Sequence, residues 1–316
     1  MTAQAQKIRN FIFREKVFSS SVLLLIAISA ASPYFLSVDN LRNLTVQLAV
    51  YGIVALGMTF AIIGGEFDLG VGSILSVAGV LAVGLEPRIG ILLSILAALA
   101  AGLAFGTING LLVSKAKINS FIVTFGSMVM VKGLALTIAD GRPIISRSEA
   151  LNSLGDAKLL GVPVMFLIFI IFLGVCHYIL TYTRFGRNIY AVGGNVGVAR
   201  ATGVNVSFYK AMLFVLTGFF AAVVGVLLAA RLNSGSPIQG DDITLTVIAS
   251  VVIGGTSLSG GKGNVARTLL GVFTIMLLSN AFDLLGIQPY IQKVIKGLII
   301  ISVVAFDSYN KKKLQA

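Results

Sequence analysis

Ten apolar stretches, joined by short polar connections, make up most of this chain. They cover residues 17–36, 44–64, 69–85, 89–113, 119–139, 163–182, 208–230, 243–255, 264–283 and 290–306. Most have the ~20 residues that a helix needs to cross a hydrocarbon core of ~30 Å, and lipid leaves the backbone no partner outside a helix. Only 11% of the residues are charged, against roughly 25% in soluble domains. We therefore predict an all-α integral membrane protein with about ten transmembrane helices.

Lysine and arginine are divided unevenly between the two alternating sets of connections. Fifteen of the 24 lie in the termini and one set of loops, and six lie in the opposite loops. Because basic residues favour the cytoplasmic side, both termini are predicted to be cytoplasmic, as the tails 1–16 and 307–316. The net charge of +12 then indicates topology and contact with anionic lipid, not nucleic-acid binding. The N-terminus resembles a signal peptide, but nine further stretches favour a retained first helix.

The whole chain, residues 1–316, is predicted to form a single transmembrane domain. The longest connections, 140–162 and 183–207, are too short to fold alone. Asn109 and Lys132 have counterparts in Asn280 and Lys296, in segments that run in the opposite direction. This similarity fits a five-plus-five inverted repeat, in which the pathway lies between the repeats. A separate pattern, Gly102, Gly106 and Gly110, predicts close helix packing rather than a pore lining.

The connection between the second and third stretches is rich in glycine and carries two carboxylates. Four glycines occur in residues 64–72, which indicates a non-helical backbone around Glu66 and Asp68. Carboxylates near the membrane interior are expensive unless they meet water or a partner. Two roles are open for Asp68: it lines a substrate path or caps the third helix. For Glu66, capping is the favoured role. Candidate path residues are the polar side chains near glycine-rich breaks: Asp68, Ser73, Asn109 and Thr124.

Lys132 lies late in the fifth stretch. It either snorkels to the outer interface or joins an ion pair, with substrate contact as the less favoured alternative. The sequence leaves open the roles of Glu66, Asp241, Asp242 and Lys132.

The connection 183–207 is the most polar of the inner loops. Gly193-Gly194-Asn195 predicts a turn and an N-cap, followed by a short helix over 196–202 that stops at Gly203. A short exposed helix of this kind suits docking into a groove of another protein, although a plain surface turn is the alternative. The candidate docking residues are Gly193, Gly194, Asn195, Ala199, Arg200 and Gly203.

The segment Leu258-Ser259-Gly260-Gly261-Lys262 resembles the signature of an ABC ATPase, but the chain contains no phosphate loop of the form GxxxxGK[ST]. No ATP hydrolysis by this chain is expected, and no catalytic role. One histidine, His177, and one cysteine, Cys176, give no transition-metal set and no intrachain disulfide. We therefore expect no metal and no cofactor.

Four segments together resemble the membrane permease of a ribose-class, or simple-sugar, ABC importer of binding-protein-dependent transport systems. They are ALGMTFAIIGGEFDLGVGS at 55–73, GTINGLLVSKAKINSFIVTFGS at 106–127 with KGLAL at 132–136 and GRPI at 141–144, TRFGRNIYAVGGN at 183–195, and VIASVVIGGTSLSGGKGN at 247–264. The resemblance implies a bundle of roughly ten helices in the bacterial inner membrane. It also implies a second permease subunit, identical or not, a cytoplasmic ATPase with two nucleotide sites that docks on 193–203, and an extracytoplasmic sugar-binding protein.

Three departures from that family leave the sugar open. Gly70 replaces the serine of the usual DLS, Asp241-Asp242-Ile243-Thr244-Leu245 replaces a Gly-Tyr-Glu-Leu run, and Arg267 precedes Thr268 where a Gly-Thr pair is usual. The candidates are ribose-like pentoses, hexoses, polyols and a furanosyl signal molecule.

Other functions remain open from the sequence. An ABC permease for nucleosides or branched-chain amino acids is one. An ion-coupled secondary transporter would need embedded groups, for which Asp68, Asp283 and His177 are candidates. An intramembrane enzyme is disfavoured, because no catalytic set of side chains appears in the stretches.

Overall fold

The computed structural model describes residues 16–299, 301 and 302, and these residues are mostly helical. The helices are α1 Lys16–Ala31, α2 Val38–Ile63, α3 Val71–Ile89, α4 Ile91–Ser114, α5 Ser120–Ile138, α6 Glu149–Asp156, α7 Val164–Tyr182, α8 Arg184–Gly194, α9 Val196–Ala201, α10 Val206–Arg231, α11 Ile243–Ile253 and α12 Val265–Leu284. A further helix, α13, covers 289–299 and 301–302. The prediction of a helical membrane protein is confirmed in its coarse form, since the described residues are mostly helical and also contain four strands of two residues each.

Seven of these helices are long and apolar enough to cross a membrane: α2, α3, α4, α5, α7, α10 and α12. Two of the ten predicted spans are shorter helices in the described part of the chain. α1 ends at Ala31, close to Pro33, so the predicted span 17–36 was too long. α11 has 11 residues, which gives about 16 Å at 1.5 Å per residue, roughly half of a bilayer core. The end of the predicted last span, 303–306, and the predicted tails 1–15 and 307–316 lie outside the described residues.

α10 lies at the centre of the bundle, packed against α2, α3 and α4. Its contact with α4 is close because Gly102, Gly106 and Gly110 face it. A Cβ on any of the three would lie within 2.6 Å of a backbone carbonyl oxygen of α10. The predicted packing role of these glycines is confirmed. α2 is buried along most of its length, so the apolar core extends from α10 to α2.

The connections fall into two groups, at opposite ends of the bundle. We call the group made of 64–70, 115–119, 183–205 and 254–264 the inner end, and the group made of 32–37, 139–163 and 232–242 the outer end. At the outer end, β1 Ile144–Ile145 pairs antiparallel with β4 Ser234–Gly235, with Ile144 opposite Gly235. β2 Lys158–Leu159 and β3 Val162–Pro163 form a small hairpin there. The sequence analysis did not predict these strands or α6.

Candidate functional site

The connection between α2 and α3 enters the protein interior at Asp68, whose side chain is completely buried. Its Oδ1 accepts a hydrogen bond of 2.9 Å from the Gly70 N–H, just before α3 begins. Its Oδ2 accepts a hydrogen bond from the Thr217 hydroxyl in the middle of α10. A buried carboxylate is costly unless such donors surround it. Asp68 therefore ties the start of α3 to the central helix.

Two polar side chains next to Asp68 are buried without a hydrogen-bond partner among the described residues. They are the Asn109 amide, at Nδ2, and the Ser127 hydroxyl. A Cβ placed on Gly70 would lie 3.2 Å from Asp68 Oδ1 and 3.6 Å from both Asn109 Nδ2 and Ser127 Oγ. Three polar groups from different elements thus surround one point beside Gly70. Since buried polar groups normally have partners, this point has hydrogen-bonding capacity that the protein itself leaves unused.

Three of the four predicted path residues lie in this buried cluster. Thr124 is buried on the same face of α5 as Ser127; its hydroxyl donates to the Ser120 carbonyl at 2.8 Å and lies 3.4 Å from the Phe67 carbonyl. Its contact with the Phe67 carbonyl brings it next to Asp68. The sequence analysis missed Ser127 and Thr217. The i, i+3 spacing of Thr124 and Ser127 on an otherwise apolar helix was the available signal for Ser127.

The fourth predicted residue, Ser73, lies just beyond the cluster, where the starts of α3 and α11 cross. The Gly72 N–H donates to Thr244 Oγ1 at 3.1 Å, and the Gly240 N–H donates to Ser76 Oγ at 2.9 Å. These two hydrogen bonds are reciprocal, because each joins a glycine N–H to a hydroxyl four residues after the other glycine. Two helix starts therefore meet backbone to backbone.

A mostly apolar groove of about 810 Å³ runs past this crossing. Ser73 lines it together with Phe121, Phe125, Met128, Leu245 and others. At one edge of the groove Lys132 pairs with Asp241, with 2.6 Å between Nζ and Oδ2. Of the alternatives that the sequence left open for Lys132, the ion pair is the one that the structure contains. The neighbouring Asp242 pairs with Lys293 of α13 at 2.9 Å.

Three glycine pairs from distant parts of the chain converge at the inner end. We call Gly64-Gly65, Gly193-Gly194 and Gly260-Gly261 the glycine junction. The Gly261 N–H donates to the Ile63 carbonyl at 2.7 Å. A Cβ on Gly193 would overlap that same carbonyl oxygen, and a Cβ on Gly260 would lie 2.6 Å from the Gly193 carbonyl oxygen. Gly260 and Gly261 also have φ values of 79° and 71°, which residues with a side chain rarely adopt. The segment that resembles an ATPase signature therefore serves close backbone packing.

A side-chain contact reinforces the glycine junction. The Tyr190 hydroxyl on α8 donates to the Gly263 carbonyl at 2.7 Å. Burial raises the pKa of Tyr190 further above neutral pH, where the hydroxyl is already protonated and can donate. α8 is thereby held to the segment that leads into α12.

The predicted short helix is α9, but its surroundings differ from the prediction. Gly193 and Gly194 form the last turn of α8, so the expected turn at these two residues was wrong. Asn195 caps α9 as predicted, accepting from the Val198 N–H at 3.0 Å, and Gly203 has the positive φ expected of a helix stop.

The outward face of α9 is formed by other residues than expected. Ala199 is buried at 1% exposure, and it packs with Val192 and Val206. Val198, at 60% exposure, and Arg200 point outward. The predicted short helix is therefore present. Val198 and Arg200 are exposed on it, and the buried Ala199 holds α9 in place, while its docking role stays a prediction.

Glu66 takes part in the inner end through an ion pair. It is 5% exposed and pairs with Lys210 at the start of α10. This contact joins the connection after α2 to the helix that follows α9. Glu66 does not belong to the buried cluster around Asp68.

A family model described as the permease component of the branched-chain amino acid transport system matches residues 40–304. The ribose import permease RbsC of Haemophilus influenzae is 38% identical over 314 residues, covering 98% of this chain and 97% of that protein. RbsC of Bacillus subtilis is also 38% identical, with 92% and 91% covered. The L-arabinose transport permease AraH of Escherichia coli is 37% identical, with 92% and 89% covered.

No solved structure matches the chain. The family model covers most of the sequence, from α2 to α13, and the relatives extend over nearly all of it. The chain belongs to the family of permease components typified by the branched-chain amino acid transport system.

Proposed function

We propose that this chain is the transmembrane permease subunit of an ABC importer for a simple sugar in the bacterial inner membrane. The observation that carries the proposal is the similarity to ribose and L-arabinose permeases at 37–38% identity over nearly the whole chain. ATP hydrolysis belongs to a partner ATPase with two nucleotide sites. An extracytoplasmic binding protein delivers the sugar, and a second permease subunit, identical or not, completes the pathway.

The proposed topology has ten membrane segments, both termini in the cytoplasm and two inverted halves. Support for the inverted repeat comes from the reciprocal hydrogen bonds between Gly72 and Thr244 and between Gly240 and Ser76. Such a pair is expected where an approximate two-fold axis relates two halves. In this arrangement α11 begins inside the bundle and reaches the inner end, with 232–242 descending to meet it.

Cysteine labelling tests the sidedness. In a Cys176→Ala background, cysteines at 150 and 236 should react with a membrane-impermeant reagent from outside. Cysteines at 116, 198 and 312 should react only from inside. Labelling of 116 or 198 from outside would invert the topology and remove the basis for an ATPase contact at α9.

The buried cluster supports a path for a hydroxylated substrate. Asp68, Asn109 and Thr124, together with Ser127, present small hydrogen-bonding groups, two of which have no partner among the described residues. Ser73 continues this polarity along the apolar groove. A moving sugar needs a few such groups but no deep binding well, because tight binding slows release. The path would open when the connection 64–70 moves relative to α5 and α10.

The inner end supports docking of the ATPase. Val198 and Arg200 are the outward contacts, while Gly193, Gly194, Asn195, Ala199 and Gly203 shape the element that presents them. The glycine junction holds α8 against the end of α2 and the segment before α12. A displacement of α9 is therefore transmitted to both halves of the protein.

Reconstitution of the chain with its ATPase and binding protein in proteoliposomes tests the function. We expect ATP-dependent uptake of one sugar from a panel of pentoses, hexoses, polyols and furanosyl compounds, and none without the binding protein. Leucine and uridine belong in the panel because the family description names branched-chain amino acids and because nucleosides are chemically close to ribose. Uptake of either one alone would contradict the sugar assignment. Uptake driven by a proton or sodium gradient without ATP would contradict the ABC mechanism.

A further inference from the structure

A second cavity lies at the inner end, beside α9, and it differs from the apolar groove in its charge. It has a volume of about 650 Å³ and is lined in part by Lys117, Arg200 and Lys210. Glu66, which pairs with Lys210, is the one carboxylate in its lining. Neither Lys117 nor Arg200 has an ion-pair partner among the described residues. The cavity therefore has a surplus of positive charge.

Two helix starts add to this positive field. The first residues of α5, Ser120 and Phe121, line the cavity, and so do the first residues of α10, Val206 and Ser207. Asn119 and Asn205 each accept one N–H at these starts, and the remaining N–H groups and the helix dipoles favour an anion. Here two long helices contribute at once.

One side chain in the lining has hydrogen-bonding capacity that the protein does not use. The Ser114 hydroxyl, at the end of α4, is buried at 6% exposure and has no partner among the described residues. It lies in the wall of the cavity, three residues before Lys117 in the chain. It is also near Ser207, whose hydroxyl donates to the Ser114 carbonyl at 3.4 Å. A buried hydroxyl without a partner is unusual, and it indicates a ligand that accepts a hydrogen bond.

The rim of the cavity is apolar on the side of α5. Ile118 is 40% exposed and Phe121 is 57% exposed, and both belong to the lining. Basic pockets between transmembrane helices on the cytoplasmic side are suited to the headgroups of anionic lipids, with acyl chains along the neighbouring apolar surface. A small soluble anion has no acyl chain, so the apolar rim would not contribute to its binding.

We propose that this cavity binds the phosphate group of an anionic phospholipid, next to the helix that docks the ATPase. Lys117 neutralises the phosphate, and the Ser114 hydroxyl and the start of α5 donate hydrogen bonds to it, while Arg200 lies at the border between this cavity and the face of α9 that docks the ATPase. The proposal rests on the proposed function only in placing the inner end at the cytoplasmic leaflet. It makes ATP-driven transport sensitive to lipid charge through a defined site.

The test uses the purified importer complex and compares two lysines of one connection. Lys117 lines the cavity, whereas Lys115, two residues away, is exposed outside it. Native mass spectrometry with phosphatidylglycerol and with neutral phosphatidylcholine as probes measures the lipid retained. We expect Lys117→Gln to weaken retention of phosphatidylglycerol about fivefold, the effect of one lysine at an anionic surface, and Lys115→Gln to leave it unchanged.

Ser114→Ala provides a second variant, because its hydroxyl has no protein partner whose loss would destabilise the fold. It should also weaken retention of phosphatidylglycerol.

Inorganic phosphate is added as a competitor to distinguish the two sources of the anion. Displacement of the lipid only at high phosphate concentration supports a lipid site, and displacement at low phosphate concentration identifies free phosphate as the ligand. Equal retention in Lys117→Gln, Lys115→Gln and Ser114→Ala would overturn the proposal. So would a loss of ATPase binding in Lys117→Gln with lipid retention unchanged, since the cavity would then belong to the ATPase interface. These readouts do not require transport, so they can fail while sugar uptake succeeds.

Discussion

The two ends of the bundle are held together in different ways. At the inner end, the glycine junction brings backbones into direct contact, with no side chain between them. The outer end also has close backbone contacts, at β1–β4 and at Gly155, but there ion pairs between half-exposed side chains join α5 and α13 to the segment before α11, as in Lys132–Asp241 and Lys293–Asp242. Exposed pairs of this kind typically contribute ~0–1 kcal/mol. The inner end is thus suited to transmit a displacement, and the side of the outer end held by these ion pairs is suited to open at small cost.

The largest effect is expected at Gly193. A Cβ there would overlap the Ile63 carbonyl oxygen and lie 2.8 Å from the Gly261 nitrogen, so two backbone segments would have to move. Gly193→Ala should lower stability by about 1–3 kcal/mol, as overpacking does, and abolish transport. Its neighbour Gly194 has open space around it, so Gly194→Ala is the matched control and should behave like the wild type. The measurement is the melting temperature of the two purified variants, which should be lower for Gly193→Ala. Equal melting temperatures would show that the junction tolerates side chains.

The buried cluster between the two ends allows function to be separated from stability. Asn109 Nδ2 is buried without a partner, so replacing the amide by an apolar group of similar size removes a desolvation cost. Asn109→Leu should therefore lower uptake severalfold while the melting temperature stays the same or rises. Uptake and melting should be measured on the same preparation. A fall in melting temperature that matches the loss of uptake would make Asn109 a structural residue.

A smaller effect is expected at Gly70. Its φ of −75° suits any residue, and a serine there would bring a hydroxyl to Asp68, Asn109 and Ser127. Gly70→Ala and Gly70→Ser both add a Cβ at 3.2 Å from Asp68 Oδ1, a tight contact, and only Gly70→Ser adds the hydroxyl. Gly70→Ser should therefore be more stable than Gly70→Ala by about 1 kcal/mol, the net value of one hydrogen bond. If the two variants melt at the same temperature, the polar groups around Gly70 do not act as a hydrogen-bonding site.

The smallest effect is expected at the outer end. A double-mutant cycle with Lys132→Gln and Asp241→Asn should give a coupling energy below about 1 kcal/mol, decreasing with added salt. Melting curves at low and high ionic strength provide the measurement. A coupling of several kcal/mol that salt does not change would mean that the outer end is as firmly held as the inner end.

The features that could be predicted from the sequence are those that hydropathy and local helix capping determine, namely the membrane helices and the ends of α9. The apolar stretches marked most helices within a few residues, and Asn195 and Gly203 marked the ends of α9. Other features depend on contacts between distant segments. The Thr217 and Thr124 hydroxyls each lie within hydrogen-bond distance of a carbonyl of their own helix, so nothing in the sequence shows which group of a neighbouring element they also contact. The glycine pairs at 64, 193 and 260 are far apart in the sequence, and nothing in it linked them; only the fold brings them together.

The central claim is that the inner end couples this permease to an ATPase through the outward face of α9. The most direct measurement is stimulation of ATP hydrolysis by sugar-loaded binding protein in the reconstituted complex, for Val198→Glu and for Ala116→Glu. Both residues are exposed at the inner end, but only Val198 lies on α9. We predict that Val198→Glu abolishes both stimulation and uptake while the permease still inserts, and that Ala116→Glu retains both. Normal stimulation and uptake in Val198→Glu would contradict the claim and leave α9 as a surface helix without a coupling role.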